Sequence, residues 1–479
     1  MDITPKKYLL LDSRVIKHSK NCKLTLGKVT KSKNNPLFTE DKLWEPRFDN
    51  LYANIIFDTT YNQAYYRCWY SPFIIDYATS KTKNKKKKPG SYIKRLHKMN
   101  VKYGSKKSRE MGICYAISKD GINWEKPNLN IVEFNDSKEN NIVLRNNHGA
   151  GLFKDDFIEE SNERYKLILA DDNEKSMFIC TSNDGLKWSK PQACPNIKEV
   201  SEETKNLRIK WNGDTHNNAI WAPTIEKYVL ITRMWKQTKD NNGKNIGIRI
   251  VGRSESLDYK TWTLTEPIFE GNEVHLQIYS MPIFEYYGIY LGLPAIFNIK
   301  TDTVQTELAW SPDTIKWYRI CPGTALIPNS ETKGDIDWGC IYAAKSPIIL
   351  NNEIRLYYSG SDGPHTDWRK GYFCLATLRP DGFAGYKSVD DTLESSIITV
   401  TIPWNGDDLG LSADIDDGGY VKVTVLNENN NILGNSVIEK TCMDEKLKIT
   451  MKDPNSISLN TEVKFKFYLR NAILYSFSI

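Results

Sequence analysis

A short motif recurs five times along the 479-residue chain, and it constrains the fold more than any other feature. The motif reads Ser-x-Asp-Gly-x-x-Trp in its clearest copies, and the five copies begin at Ser118, Ser182, Ser256, Ser311 and Thr377. The Asp can accept hydrogen bonds from the backbone just ahead, and the Gly can take a positive φ, which predicts a turn between two strands. The spacing of 55 to 74 residues indicates five structural units.

Apolar, β-branched and aromatic stretches fill the intervals between the motifs. Segments such as GICYAIS, SMFICTS and IRIVGRS run directly into a motif, and two further apolar segments precede each of them. Together with the strand after the motif, each unit supplies four short strands, and no stretch has a sustained 3.6-residue period. We therefore predict an all-β protein with a five-bladed β-propeller domain over residues 1–390, which includes an N-terminal extension before the blades begin near residue 35 and an insertion at residues 77–110. The alternation in residues 391–479 predicts a C-terminal β-sandwich.

Charge is concentrated in one segment. Residues 77–110 contain thirteen Lys or Arg and a single acid, so the rest of the chain is mildly acidic despite a net charge of +6. A nucleic-acid-binding protein would spread basic residues and aromatics over a groove, so we predict no nucleic-acid partner. We interpret this basic insertion as a solvated loop that folding does not require. Contact with an acidic partner or a polyanionic substrate is the alternative.

Nothing in the sequence predicts a membrane segment. No apolar run approaches the roughly 18 residues that a spanning helix needs, and the first twenty residues lack the apolar core of a signal peptide. We expect a soluble protein that does not bind membranes. Its compartment stays open, since a removed leader would make the protein periplasmic or secreted.

Polar residues cluster where the innermost strand of each predicted blade begins. These starts face one end of the propeller channel, so residues distant in sequence can converge there. Carboxylates can transfer protons, indoles can stack on sugar rings, and amides and imidazoles can bind hydroxyl groups, which indicates a saccharide site. The predicted substrate-binding residues are Trp44, Arg47, Asn50, His148, Lys154, His216, His275, Gln277, Asp337 and Trp338.

The five-unit repeat and the strings WEPRFDNLYANIIFD, HGAGLFKDD and YAISKDGINWEKP resemble the clan of five-bladed glycoside hydrolases, which includes families 32, 68 and 43. The chain is most similar to a bacterial branch related to family 32. The resemblance implies a glycosidase that cleaves a furanoside-type linkage in an oligo- or polysaccharide. It also implies a nucleophile or base in unit 1, matched by Asp49, and a transition-state stabiliser in unit 2. Asp155 matches the stabiliser, with Lys154 in place of the family's arginine.

The third family residue, a glutamate in unit 3, has no match. Asp214 occupies the equivalent strand start and is our candidate general acid, with Glu273 and Asp337 as alternatives. A general acid must hold its proton near neutral pH, and the neighbouring carboxylates would raise its pKa. The missing glutamate favours a second hypothesis, a propeller that binds carbohydrate without cleaving it.

Two further expectations complete the prediction. A sialidase-like enzyme is disfavoured, because the arginine triad of that fold cannot be assembled from this sequence. No cofactor is predicted and no metal ligand is assigned, although a structural divalent cation in the channel stays open, as does the oligomeric state.

Overall fold

The computed structural model describes residues 6–60, 65–99, 108–157, 162–171, 176–240, 242–453 and 457–479. Nearly all regular structure within them is β-strand, in a propeller arrangement of sheets, which confirms the all-β prediction. The helices are short: the α-helices are Tyr77–Lys81, Tyr92–Lys98 and Glu202–Asn206, and the 3-10 helices are Asn84–Lys86 and Pro195–Lys198. Among the described residues, no helix has the length and apolarity needed to cross a membrane.

Four antiparallel sheets of four or five strands correspond to units 1 to 4. The first contains Asn54–Asp58, Tyr65–Tyr70, Phe73–Asp76, Arg109–Ser118 and Ile142–Arg145; the second contains His148–Lys154, Tyr165–Asp171, Ser176–Ser182 and Gln192–Ala193. The third contains Ile209–Trp211, Asn218–Ala222, Lys227–Lys239, Asn245–Ser256 and Glu266–Phe269; the fourth contains Ile283–Tyr286, Ile289–Gly292, Leu308–Ser311 and Tyr318–Ile320.

Unit 5 does not form a separate sheet. Its strands share a nine-stranded sheet with three strands of unit 4 and two from the N-terminal segment. The members are Leu276–Ser280, Ala295–Asn298, Thr303–Thr306, Cys340–Ala343, Ile348–Ile349, Ile354–Ser361, Gly371–Leu378, Thr30–Lys31 and Phe38–Thr39. Pro282 and Pro294 interrupt the unit 4 strands, because proline has no N–H to donate to the ladder. The prediction of five separate four-stranded blades is therefore not confirmed: the described residues form four separate blade sheets, and the strands of unit 5 lie in the shared sheet.

The repeated motif forms the predicted turn. Oδ1 of Asp120 accepts hydrogen bonds of 2.8 Å from the backbone N–H groups of Ile122 and Asn123. Gly121 has a φ of +73°, and in the third and fourth copies Tyr259 and Thr314 hold the same left-handed position with φ values of +64° and +66°. The repeated aspartates are therefore turn residues.

Most of these turns are also held by a neighbouring unit. Four hydrogen bonds of 2.6 to 3.0 Å between units join Arg67 to Asp184, Arg253 to Thr314, Tyr286 to Asp381, and Tyr357 to Gly121. The last of them joins unit 5 to unit 1, so the units form a closed ring.

The C-terminal region forms one eleven-stranded sheet with the start of the chain. Its strands are Lys7–Leu9, Ile16–Lys20, Cys22–Leu26, Ala384–Ser388, Ser395–Thr399, Ile402–Trp404, Leu409–Leu426, Ile432–Ile438, Cys442–Leu447, Thr450–Met451 and Thr461–Ser478. The two longest strands pair along their length with a register shift between Ile415 and Tyr420, and Trp404, Val423 and Phe467 belong to the core. The predicted two-sheet sandwich is not confirmed, because hydrogen bonds join all eleven strands. The strands between residues 7 and 26, in the predicted N-terminal extension, lie in this sheet.

Candidate functional site

A polar cavity of about 450 Å³ lies where the innermost strands of several units begin. We call it the channel cavity. It is lined by residues from all five units: Arg47, Asp49, Asn50, Phe73, Tyr92, Ile93, Arg109, Glu110, Met111, Asn146, Asn147, His148, Asp214, Arg249, Tyr279, His365 and Thr366. Its volume falls in the range of small-molecule and saccharide sites. Five of the residues predicted from the sequence, Arg47, Asp49, Asn50, His148 and Asp214, are thus brought together.

Asp49 is held by two arginines. Its Oδ1 lies 2.5 Å from Nη2 of Arg369 and 3.2 Å from Nη2 of Arg47. Burial would raise the pKa of the Asp49 carboxyl, but the positive charges of Arg369 and Arg47 outweigh it and hold the pKa well below its usual range. This lowered pKa means that Asp49 is ionised at neutral pH.

The backbone around Asp49 is strained. Asp49, Leu51 and Tyr52 have left-handed φ values of 57°, 60° and 42°, and such conformations cluster at functional sites.

Asp214 forms a pair with His148. Nε2 of His148 lies 2.7 Å from Oδ1 of Asp214, and Nη1 of Arg233 lies 3.5 Å from Oδ2. Loss of hydration in the cavity would raise the pKa of Asp214, but the charge and hydrogen bond of His148, with Arg233, hold it well below its usual range. The expectation that neighbouring carboxylates raise the pKa of Asp214 is therefore wrong: its nearest charged neighbours are cations.

The other two channel histidines are neutral. Nδ1 of His365 lies 3.0 Å from the hydroxyl of Tyr342, and burial and the charge of Arg369 lower the pKa of His365 well below its usual value. His216 is stacked on Tyr52, and burial lowers its pKa to about 3. Because His216 does not line the channel cavity, its predicted role in binding substrate has no support from its position.

Arginines are the main feature that the sequence analysis missed. Arg109 and Arg249 line the cavity beside Arg47, and Arg233 and Arg369 lie buried behind its wall. Gln277, predicted to bind substrate, instead accepts a 2.8 Å hydrogen bond from Nη1 of Arg249. A charged residue inside an apolar strand, such as the arginine in KYVLITRMW, was the available signal, since arginine is rarely buried without a partner.

Other predicted residues lie outside the cavity. The indole N–H of Trp44 donates to Asn141 at 2.7 Å, and Nδ1 of His275 pairs with Glu273 at 3.1 Å. Asp337 accepts a hydrogen bond from Tyr358 at 2.8 Å and pairs with Lys31. Trp338 does not line the cavity either. The contacts of Trp44, His275 and Asp337 are those of residues that hold strands and loops together.

Asp155 and Lys154 lie at the opposite end of the inner strand. The strand His148–Lys154 has seven residues, so its two ends are about 20 Å apart. Asp155 accepts a 2.6 Å hydrogen bond from the hydroxyl of Tyr228 and lines a second cavity of about 610 Å³, together with Lys345. The structure does not bring Asp155 together with Asp49 and Asp214.

Residues 77–99 of the basic insertion form short helices and contribute to the cavity. Tyr92 and Leu96 of its second helix are buried, and the hydroxyl of Tyr92 donates to Asp76 at 2.8 Å. The guanidinium of Arg47 lies 4.5 Å from the centre of the Tyr92 ring, and Trp368 packs edge-on against the same ring. The interpretation as a wholly solvated loop is therefore wrong for residues 77–99, while residues 100–107 lie outside the described part.

A metal site is not apparent. In the described ranges, no group of three or more His, Cys, Asp or Glu side chains is arranged to hold an ion. A channel cation would therefore have no ligand set of this kind among them.

Comparison with known proteins finds only distant similarity. No family model and no curated protein matches the chain. A solved N-acetylgalactosamine deacetylase from F. plautii is 13% identical over 74% of this chain and 95% of its own, with a TM-score of 0.45. A glycosyl hydrolase from Bacteroides ovatus is 12% identical over 74% and 95%, with a TM-score of 0.46.

A family 43 arabinoxylan arabinofuranohydrolase from Bacillus subtilis is 9% identical over 94% of this chain and 98% of its own, with a TM-score of 0.41. Similarities this low carry no conclusion about activity. The relationship to family 32 is not confirmed.

Proposed function

We propose that the protein is a carbohydrate-processing enzyme, a glycosidase that acts on an oligo- or polysaccharide bound in the channel cavity. The observation that carries the proposal is the pair of ionised carboxylates, Asp49 and Asp214, which reach one cavity from different units. Glycoside hydrolysis uses two carboxyl groups on either side of the scissile bond, one ionised as base or nucleophile and one that supplies a proton to the leaving group. The aromatic rings of Tyr92 and Tyr279 in the cavity wall fit a sugar ligand.

The proposed roles follow from the hydrogen bonds of each group. Asp49 is the base or nucleophile, since its low pKa keeps it in the charged form that either role requires. Asp214 works with His148, whose Nε2 lies 2.7 Å from Oδ1 of Asp214, close enough for the two groups to share a proton. The His148–Asp214 pair is then the proton donor to the leaving group, in place of an isolated protonated aspartic acid.

The second candidate function is carbohydrate binding without cleavage. It is favoured by the lowered pKa values of Asp49 and Asp214, because a conventional general acid needs a raised pKa. The furanoside-type linkage rests on the sequence resemblance alone.

A glycan-hydrolysis screen separates the two functions. The wild type, Asp49→Asn and Asp156→Asn are incubated with neutral and acidic oligosaccharides and with nitrophenyl glycosides, and released sugar is measured. Asp156 is the matched control, because it is highly exposed and lies at the opposite end of the channel. We expect release by the wild type and the control only. Binding without release supports the second function, and neither binding nor release contradicts both.

We also propose that the ring is five-bladed, with the unit 5 part of the nine-stranded sheet as the last blade. That part has an outer edge, because its strand Gly371–Leu378 pairs with Thr30–Lys31 and Phe38–Thr39. The hydrogen bond from Tyr357 to the unit 1 turn supports the same assignment. A crystal structure with any other number of blades would contradict it.

A further inference from the structure

We propose that the channel cavity binds an acidic saccharide, one that carries a carboxylate, sulfate or phosphate group, and that Arg47 and Arg249 receive this oxyanion. The inference deepens the proposed function and rests on it for the location of the saccharide. Guanidinium groups present planar pairs of N–H donors that match carboxylate, sulfate and phosphate oxygens.

The first argument is the balance of charge. Each carboxylate in the cavity wall already has a cation of its own. Asp49 is paired with Arg369, Asp214 with Arg233, and both oxygens of Glu110 accept hydrogen bonds of 2.6 and 2.7 Å from Arg145. The described carboxylates are therefore neutralised without Arg249, which leaves positive charge in excess.

The second argument is the position of Arg249. In the described part of the chain it forms no ion pair, and its Nε has no hydrogen-bond partner. The rings of Trp235 and Phe297, 4.7 and 5.0 Å from the guanidinium carbon, fix its orientation, as does the 2.8 Å hydrogen bond to Gln277. Arg233 lies close enough for charge repulsion to add to the effect of burial and lower the pKa of Arg249. An anion bound beside both guanidinium groups would relieve that repulsion.

The third argument is the set of buried donors that the protein itself does not satisfy. Arg47 and Asn147 both line the cavity and are each only 4% exposed. Nε and Nη1 of Arg47 have no hydrogen-bond partner among the described residues, although Nη1 lies 4.0 Å from Asp76, and both amide atoms of Asn147 also lack one. Buried polar groups are normally satisfied, so these atoms indicate a ligand. A neutral sugar could supply hydrogen bonds, but only an anion also balances the charge.

Binding to a glycan array tests the proposal independently of catalysis. The array presents pairs of glycans that differ only in the acidic group, such as glucuronosides against glucosides and sulfated against unsulfated galactosides. The full-length wild type is compared with Arg249→Gln and with the control Arg14→Gln, an arginine that is 55% exposed and outside the cavity. We expect at least tenfold tighter binding of the acidic member by the wild type and by the control. In Arg249→Gln this preference should fall tenfold or more.

Three results would overturn the inference. The first is equal binding of acidic and neutral members, and the second is a preference that Arg249→Gln leaves unchanged. The third is that free phosphate, and not the saccharide, supplies the oxyanion. In that case sodium phosphate raises the melting temperature of the wild type but not of Arg249→Gln. Neutral glycans are then cleaved only when phosphate is present.

The failure of the glycosidase assignment looks different. Acidic glycans that bind but are not cleaved refute the glycosidase and support the inference. Acidic and neutral members of a pair that the wild type and Arg249→Gln bind and cleave equally well support the glycosidase and refute the inference.

Discussion

Replacing Arg369 with glutamine should destabilise the protein through Asp49. The Arg369 side chain is fully buried, the Asp49 side chain is 15% exposed, and their charged atoms lie 2.5 Å apart. Removing one partner of a buried pair leaves an uncompensated charge, which costs about 3–5 kcal/mol. Arg47, at 3.2 Å, remains as a second partner and places the expected loss near the lower end of that range.

The magnitude can be expressed as a melting temperature. An unfolding entropy of about 2.1 cal/mol/K per residue gives about 1 kcal/mol/K for the 479-residue chain, if the chain unfolds as one unit. The expected decrease for Arg369→Gln is therefore about 3 °C. Scanning calorimetry at pH 7 measures it, with Lys205→Gln as the control. Lys205 pairs with Glu202 at the surface, where an ion pair contributes about 0–1 kcal/mol, so this control should shift by less than 1 °C.

A double-mutant cycle decides whether the charge is the cause. Asp49→Asn combined with Arg369→Gln removes both charges, so the double variant should lose less stability than the two single variants added together. Additive losses would refute the argument, because they would show that Arg369 acts through packing alone. So would an unchanged melting temperature in Arg369→Gln.

Three further predictions concern the site, the insertion and the channel. Asp214→Asn should lower turnover about 100-fold on substrates with poor leaving groups and much less on nitrophenyl glycosides; equal losses on both would contradict its role in proton donation. Leu96→Ala should lower the free energy of unfolding by about 2–4 kcal/mol, because the Leu96 side chain is buried in the insertion. The control is Ile93→Ala, which should lower it much less because Ile93 is exposed. Burial lowers the pKa of Lys345 to about 7. Between pH 7 and pH 9 the unfolded chain therefore binds more protons at this residue than the folded chain does. The free energy of unfolding should rise by about 1.4 kcal/mol per pH unit relative to Lys345→Met. Parallel stability curves for the wild type and Lys345→Met would show that the lysine is charged when folded.

The repeat made the ring predictable, and the ring made part of the site predictable. Once the strands are placed around a channel, Asp49, His148 and Asp214 must lie near the same end, and the cavity contains all three. Asp155 was assigned to that end by resemblance, although the seven-residue strand after His148 carries it to the other end. The number of residues between two positions predicts their distance in space only when the length of the strand between them is known.

The electrostatic character of the site could not be read in the same way. Arg369 is four residues from His365 in a loop, and no periodic pattern indicates that it reaches Asp49. The many charges of the basic insertion likewise gave no indication that Tyr92 and Leu96 are buried. These two side chains pack with Trp368, which is distant in sequence. Contacts of this kind are properties of the assembled ring.

The edge strands of the ring and of the C-terminal sheet bring the two ends of the chain together, and this sets an order of events during synthesis. Thr30–Lys31 and Phe38–Thr39 leave the ribosome early, but their partner Gly371–Leu378 follows more than 300 residues later. At about 5–20 residues per second, that interval is on the order of 20–60 s. The strand Lys7–Leu9 stays unpaired for longer still, because its partner is Thr461–Ser478. The nascent chain therefore keeps unpaired strand edges until Thr461–Ser478 has been made, and the ring cannot close before Gly371–Leu378 has left the ribosome.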